Sequence, residues 1–145
     1  MTTTENKKLI ERYLKALGTK NWEELGKCLH PDFTFYPQVD TPFKGVQGFL
    51  DAEEEAFEAF SAIKVYPAFL IAEDDRVASL TMFEYTHGNG RYFGMRPLGK
   101  SGRVSIGMFF RIQDGLIIEK RAHYDKGDLW VQMGADGLMD YIQSL

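Results

Sequence analysis

The chain opens polar and then places Leu9, Tyr13 and Leu17 four residues apart, the spacing that stacks side chains on one face of a helix. Thr2-x-x-Glu5 just ahead of them spells a capping box, so a first helix is predicted from there. Asn21-x-x-Glu24 marks a second start and a short helix through Leu29. The pattern changes in "PDFTFYP". Phe33 and Phe35 alternate with Thr34 and Tyr36, a short strand that Pro37 stops. "VQGFLDAEEEAFEAF" returns to helical spacing, with Phe49, Ala56, Phe57 and Phe60 inward and an acidic outer face. From residue 62 onward the chain reads as strands: "AIKVYPAFLIAE", the turn "EDD", "RVASLTMFEYTH", "NGRYFGMRP", "GRVSIGMFFRI", the turn "QDG" and "LIIEKRAHYD". "ADGLMDYIQSL" closes the chain as a short helix.

Helices gathered first and an antiparallel meander afterwards predict an α+β fold, with helices packed on one face of a curved sheet. The 145 residues, free of repeats and linkers, fit one domain spanning 1–145. Composition adds two points. Aromatics reach 14%, more than a core of this size needs, which leaves some to line a cavity. The net charge is −4 and no Lys/Arg-rich face is visible, so a nucleic-acid partner is not expected. The start lacks the apolar core of a signal peptide, and no apolar stretch approaches the ~18 residues of a membrane span, so a cytoplasmic protein without a membrane partner is expected. Cys28 is the single cysteine, and His30, His87 and His123 lie far apart without a metal-binding spacing. No phosphate-binding glycine loop occurs. The expected chemistry is therefore that of side chains alone, with no cofactor and no metal.

Longer stretches carry a family resemblance. "ERYLKALGTKNWEELGKCLHPDFTFY", "GVQGFLDAEEEAF", "RVASLTMFEYTH" with "GRYFGMRPLGKSGRV", and "FFRIQDGLIIEKRAHYD" together resemble the nuclear-transport-factor-2-like superfamily. The nearest branch is that of SnoaL-like polyketide cyclases, ketosteroid isomerases and limonene-epoxide hydrolases. The resemblance implies a cone-shaped curved antiparallel sheet wrapped around the N-terminal helices, an apolar pocket for a hydrophobic small molecule, and a homodimer. It also implies positions for chemistry. Tyr13 falls where isomerases and some cyclases keep a tyrosine that donates to a carbonyl oxygen. Tyr36 falls where isomerases keep a general-base Asp, Met108 where they keep a second oxyanion donor, and Ala122 where cyclases and epoxide hydrolases keep an Asp. Glu84 falls near an Asp of the hydrolases' Arg-x-Asp element, with Met82 in place of the Arg. None of the three standard sets is intact.

Alternation along the strands names what remains. With Ala122 facing the pocket, Lys120 and Tyr124 lie beside it, and Arg121 and His123 point away. On the next strands the inward sets are read as Ala78, Leu80, Met82 and Glu84, and as Ile106, Met108 and Phe110. The candidate catalytic set is then Tyr13, Tyr36, Glu84, Lys120 and Tyr124, with Asp125 at the strand end. Met108, Ala122, Met82, Phe110 and Phe57 are the candidate pocket walls. Lys120 reads as general acid, general base or imine former, or as a lysine that snorkels to the pocket mouth. Glu84 reads as a matching base or as a surface ion-pair partner. Asp125 reads as an acid or as a turn cap. The function these residues suggest is a cyclase or isomerase acting on a polyketide- or terpenoid-like compound. The alternative is a non-catalytic binding protein of the same fold, and a lesser one is an epoxide hydrolase.

Overall fold

The computed structural model describes residues 1–37 and 40–145. Helix α1 (Thr3–Gly18) starts at the expected capping box, in which the Glu5 amide donates to Thr2 Oγ1 at 3.1 Å and the Thr2 amide to Glu5 Oε2 at 2.7 Å. Its buried face carries Leu9, Ile10, Tyr13, Leu14 and Leu17. Helix α2 (Trp22–Lys27) is capped by Asn21 and is shorter than expected, because Leu29 already belongs to strand β1 (Leu29–Tyr36). A two-residue strand β2 (Phe43–Lys44) pairs with β1. Helix α3 (Val46–Glu58) ends before Phe60, which opens β3 (Phe60–Glu73).

Strands β4 (Arg76–His87), β5 (Lys100–Gln113) and β6 (Leu116–His123) complete an antiparallel run with β3. Asp114 and Gly115 both take positive φ, 55° and 74°, which is what a two-residue hairpin turn demands. "NGRYFGMRP", expected as a strand, is instead a loop with one isolated bridge between Tyr92 and Met95. Met95 plugs into the core there, and Phe93 takes a positive φ of 48°, so the alternation needed for pairing is broken. The closing helix α4 runs from Lys126 to Ser144, much longer than expected, and kinks where Gly134 takes φ 83°.

The six strands lie in the order β2-β1-β6-β5-β4-β3, and β1 runs parallel to β6. The sheet is therefore mixed, not antiparallel throughout, and it curves without closing into a barrel. Alternation within a strand tells which side chains face inward. It holds no information on the direction of a partner strand far along the chain. Helix α1 packs on β3, α3 on β1 and α4 on β5, so all three cover one face of the sheet. The other face leaves Phe69, Ile71 and Phe109 exposed. No described helix is long and apolar enough to cross a membrane.

Candidate functional site

Between α3, α4 and the covered face of the sheet lies a cavity of about 260 Å³. Most of its wall is apolar: Phe57, Phe60 and Phe83 meet edge-on, and Ile106, Met108 and Ala122 form the sheet side. The polar exceptions are Glu53, Tyr85, Tyr92, Lys120, Tyr124 and Lys126.

Lys120 is the decisive one. Its place on β6 pairs it with Phe35 on β1 and Phe110 on β5, so two aromatic neighbours are set by register alone. Only 2% of the residue is exposed. Its Nζ lies 5.1 Å from the ring centre of Phe35 and 5.3 Å from those of Phe49 and Tyr13. Such contacts favour a cation by about 0.5–2 kcal/mol each. Against them works the loss of water, which pushes the Lys120 pKa below its ordinary value, while the charge of Glu53 pulls it back up.

Glu53 is half-buried on α3 and faces the same cavity. Burial raises its carboxyl pKa and Lys120 opposes the rise. The lysine moves down and the acid moves up, so the two affinities for a proton approach each other. Among the described residues the two do not touch as an ion pair.

Tyr92 and Tyr124 also line the cavity, and burial raises both phenols, Tyr92 well above its usual value. Tyr85 donates to Gln132 Oε1 at 3.0 Å and is pushed up to about 12 by burial. All three stay neutral donors near neutral pH. Gln132 also ties α4 to the edge of β5, accepting from the Arg103 amide at 2.9 Å and donating to the Arg103 carbonyl at 2.7 Å.

The family model of the SnoaL-like polyketide cyclases matches residues 7–133. The chain belongs to that family. Solved structures share its fold. A SnoaL-like polyketide cyclase candidate from Jannaschia sp. CCS1 superposes with a TM-score of 0.84 at 20% identity, covering 92% of this chain and 94% of its own. TsrD from Streptomyces laurentii gives 0.82 at 22% identity, covering 93% and 98%. An LEH-like epoxide hydrolase from M. tuberculosis gives 0.72 at 15% identity, covering 99% and 98%. At such identities the likeness is one of fold, and a fold hosts many reactions. No curated protein matches the chain.

Within this SnoaL-like frame the sequence candidates divide. Lys120, Tyr124, Met108, Ala122 and Phe57 line the cavity. Tyr13 does not; it lies one layer deeper, its ring edge-on to Phe110 at 5.5 Å and its hydroxyl buried without a partner among the described residues. Burial holds its phenol well above the usual pKa. Phe110 is likewise core beneath the floor, 1% exposed.

Tyr36 faces away from the cavity, where the Arg121 guanidinium covers its ring at 3.7 Å. Phe35 takes the inward place, as the alternation in "PDFTFYP" already implied. Glu84 and Met82 are corrected by one residue of register. The buried side of β4 is Val77, Ser79, Thr81, Phe83 and Tyr85, and Glu84 stands on the opposite face, 3.9 Å from Lys64. Ser79 and Thr81 satisfy each other at 2.7 Å beneath α1, so two polar residues sit inside while Leu80 and Met82 sit outside. Asp125 is exposed and caps α4, accepting from the Asp128 amide at 3.1 Å.

Glu53 was missed. Its signal was present, since Phe49-x-x-x-Glu53-x-x-x-Phe57 puts it on the apolar stripe of α3 and not among its solvated acids. Tyr92 was missed because its segment was read as a strand. Among the described residues, no group of three His, Cys, Asp or Glu is arranged to hold a metal.

Proposed function

We propose that the chain is an acid–base enzyme acting on a hydrophobic, oxygenated small molecule, with cyclisation or isomerisation of a polyketide- or terpenoid-like carbonyl compound as its reaction. The observation that carries the reading is the placement of Glu53 and Lys120 in one apolar cavity with their proton affinities drawn together. A carboxylate in such a site removes a proton from carbon beside a carbonyl, and a lysine or tyrosine N–H or O–H donates to the oxygen as it gains charge. Tyr92 and Tyr124 supply further donors. The side chains do this without a cofactor.

The test is deuterium exchange next to the carbonyl of β-tetralone, followed by NMR. Wild-type protein accelerates the exchange, and Glu53→Gln and Lys120→Met each slow it by at least ~100-fold. Unchanged exchange in both variants removes the pair from the mechanism.

A second reading, a binding protein without catalysis, draws on Ala122 and Met108, which stand in the cavity where the resemblance expects acids or donors. It requires tight ketone binding without exchange. The epoxide-hydrolase reading has little to draw on, with Met82 and Glu84 on the outer face. That face also suggests the homodimer. Phe109 pairs with Ala78, which pairs with Ile71, so an apolar band crosses three strands. Phe109→Glu is expected to yield monomer by light scattering if a second copy covers it.

A further inference from the structure

We propose that Lys120 is a nucleophile that forms an imine with a hydrophobic aldehyde or ketone, with Glu53 moving the protons. This rests on the acid–base reading of the cavity and names the substrate's reacting group.

The reason lies in what Lys120 lacks. An ammonium carries three N–H donors. In the described structure Lys120 has neither a hydrogen-bond acceptor nor an ion-pair partner, only three aromatic rings and the cavity. Buried polar groups are held by polar partners, and even the half-buried Lys20 donates to the Phe60 carbonyl at 2.9 Å. Lys120 is held by nothing polar. Its environment is poor for an ammonium and suited to a neutral amine, whose lone pair is then available to attack. Burial, which lowers its pKa, acts in the same direction.

The same rings fit the next species. An iminium keeps its positive charge but has a single N–H, so it gains from the ring faces and needs fewer acceptors than the ammonium does. Glu53 shares the cavity without gripping the lysine, which leaves its carboxyl free to carry protons.

The steps balance. The amine nitrogen attacks the carbonyl carbon, a C–N bond forms, and the π pair moves to oxygen. Glu53, protonated at the outset, gives its proton to that oxygen and takes one from the amine nitrogen, which leaves a neutral carbinolamine and Glu53 protonated again. Protonated Glu53 then donates to the hydroxyl, the C–O bond breaks, water leaves, and the nitrogen lone pair makes the C=N bond of the iminium. The iminium draws electrons from the adjacent carbon, and the Glu53 carboxylate removes a proton there to give an enamine. Reversal of these steps with water releases the product and the free lysine. No oxidant or reductant enters.

The experiment treats the protein at neutral pH with β-naphthaldehyde and sodium cyanoborohydride, and reads intact mass and mapped peptides. Naphthalene, which has no carbonyl, serves as the binding control in a melting assay. The expected result is one adduct on Lys120, of the mass of the aldehyde less one oxygen, formed before any surface lysine such as Lys64 is labelled. Lys120→Met loses that adduct yet is still stabilised by the aldehyde. Glu53→Gln labels the same site about 100-fold more slowly. Stabilisation by the aldehyde with Lys120 unmodified, or labelled no faster than Lys64, overturns the imine. If β-tetralone exchange persists in that case, the acid–base reading stands alone. If neither aldehyde nor naphthalene raises the melting temperature and no adduct forms, both readings fall.

Discussion

Two of the lysine–glutamate pairs on this scaffold differ in the reverse of the order that distance suggests. Lys64 and Glu84 form a direct ion pair on the outer face at 3.9 Å, with side chains 74% and 42% exposed. Lys120 and Glu53 share a cavity without touching as a pair, yet each alters the other's proton affinity. Water and salt screen the first pair, and such pairs contribute about 0–1 kcal/mol. Aromatic rings surround the second, where low polarity lets a charge act over a longer reach. Solvation, more than proximity, decides which lysine and which acid have chemistry to offer.

The largest test of that contrast is turnover. Glu53→Gln and Lys120→Met are expected to lose at least ~100-fold of ketone exchange, whereas Glu84→Gln changes it less than about 2-fold. Equal losses at the two sites would abolish the distinction.

Stability should diverge with opposite sign. The folded-state pKa of Lys120 lies below its unfolded value near 10.5, so charged Lys120 destabilises the fold. That penalty is fully present below the folded pKa. It is relieved as pH rises from there toward the unfolded value, because the unfolded chain then holds the extra proton. Lys120→Met is therefore expected to stabilise the protein at neutral pH, with a gain that shrinks toward pH ~10.5. Urea denaturation at several pH values measures it. Replacing Lys64 by Met is expected to shift stability by less than ~1 kcal/mol, and by less still in high salt.

A smaller test concerns the layer beneath. Tyr13→Phe removes a buried hydroxyl that has no partner among the described residues, so it is expected to be neutral or to stabilise by up to ~1 kcal/mol. Turnover should change less than about 3-fold if Tyr13 only supports the ring cage. A large loss of turnover would bring its hydroxyl into contact with the ligand.

These contrasts also mark what was legible in the sequence. The capping box at Thr2, the turn at Asp114-Gly115 and the alternation on β5 and β6 depend on neighbours within a few residues, and each reads correctly. So does the inward set of Lys120, Ala122 and Tyr124, since Ala122 fixes its phase. Strand β4 misleads because both of its faces are partly apolar: Leu80 and Met82 lie outside, while Ser79 and Thr81 satisfy each other inside. Glu53 was hidden by company, one acid of five in "DAEEEAFE", although its spacing from Phe49 and Phe57 set it apart. The parallel pairing of β1 with β6 had no local signal at all.

That pairing has a consequence for how the chain folds. Leu29 meets Ile117 and Phe35 meets Lys120, so joining β1 to β6 closes a loop that encloses most of the chain. Loop-closure entropy makes such contacts late compared with the hairpins β3–β4, β4–β5 and β5–β6. A nascent chain can assemble that meander from local contacts. The step that remains, the docking of β1 and its helices, seats Phe35 against Lys120 and closes that side of the lysine. The enclosure of Lys120 thus coincides with the longest-range strand pairing among the described residues, and the cavity gains this part of its aromatic wall only when folding is complete.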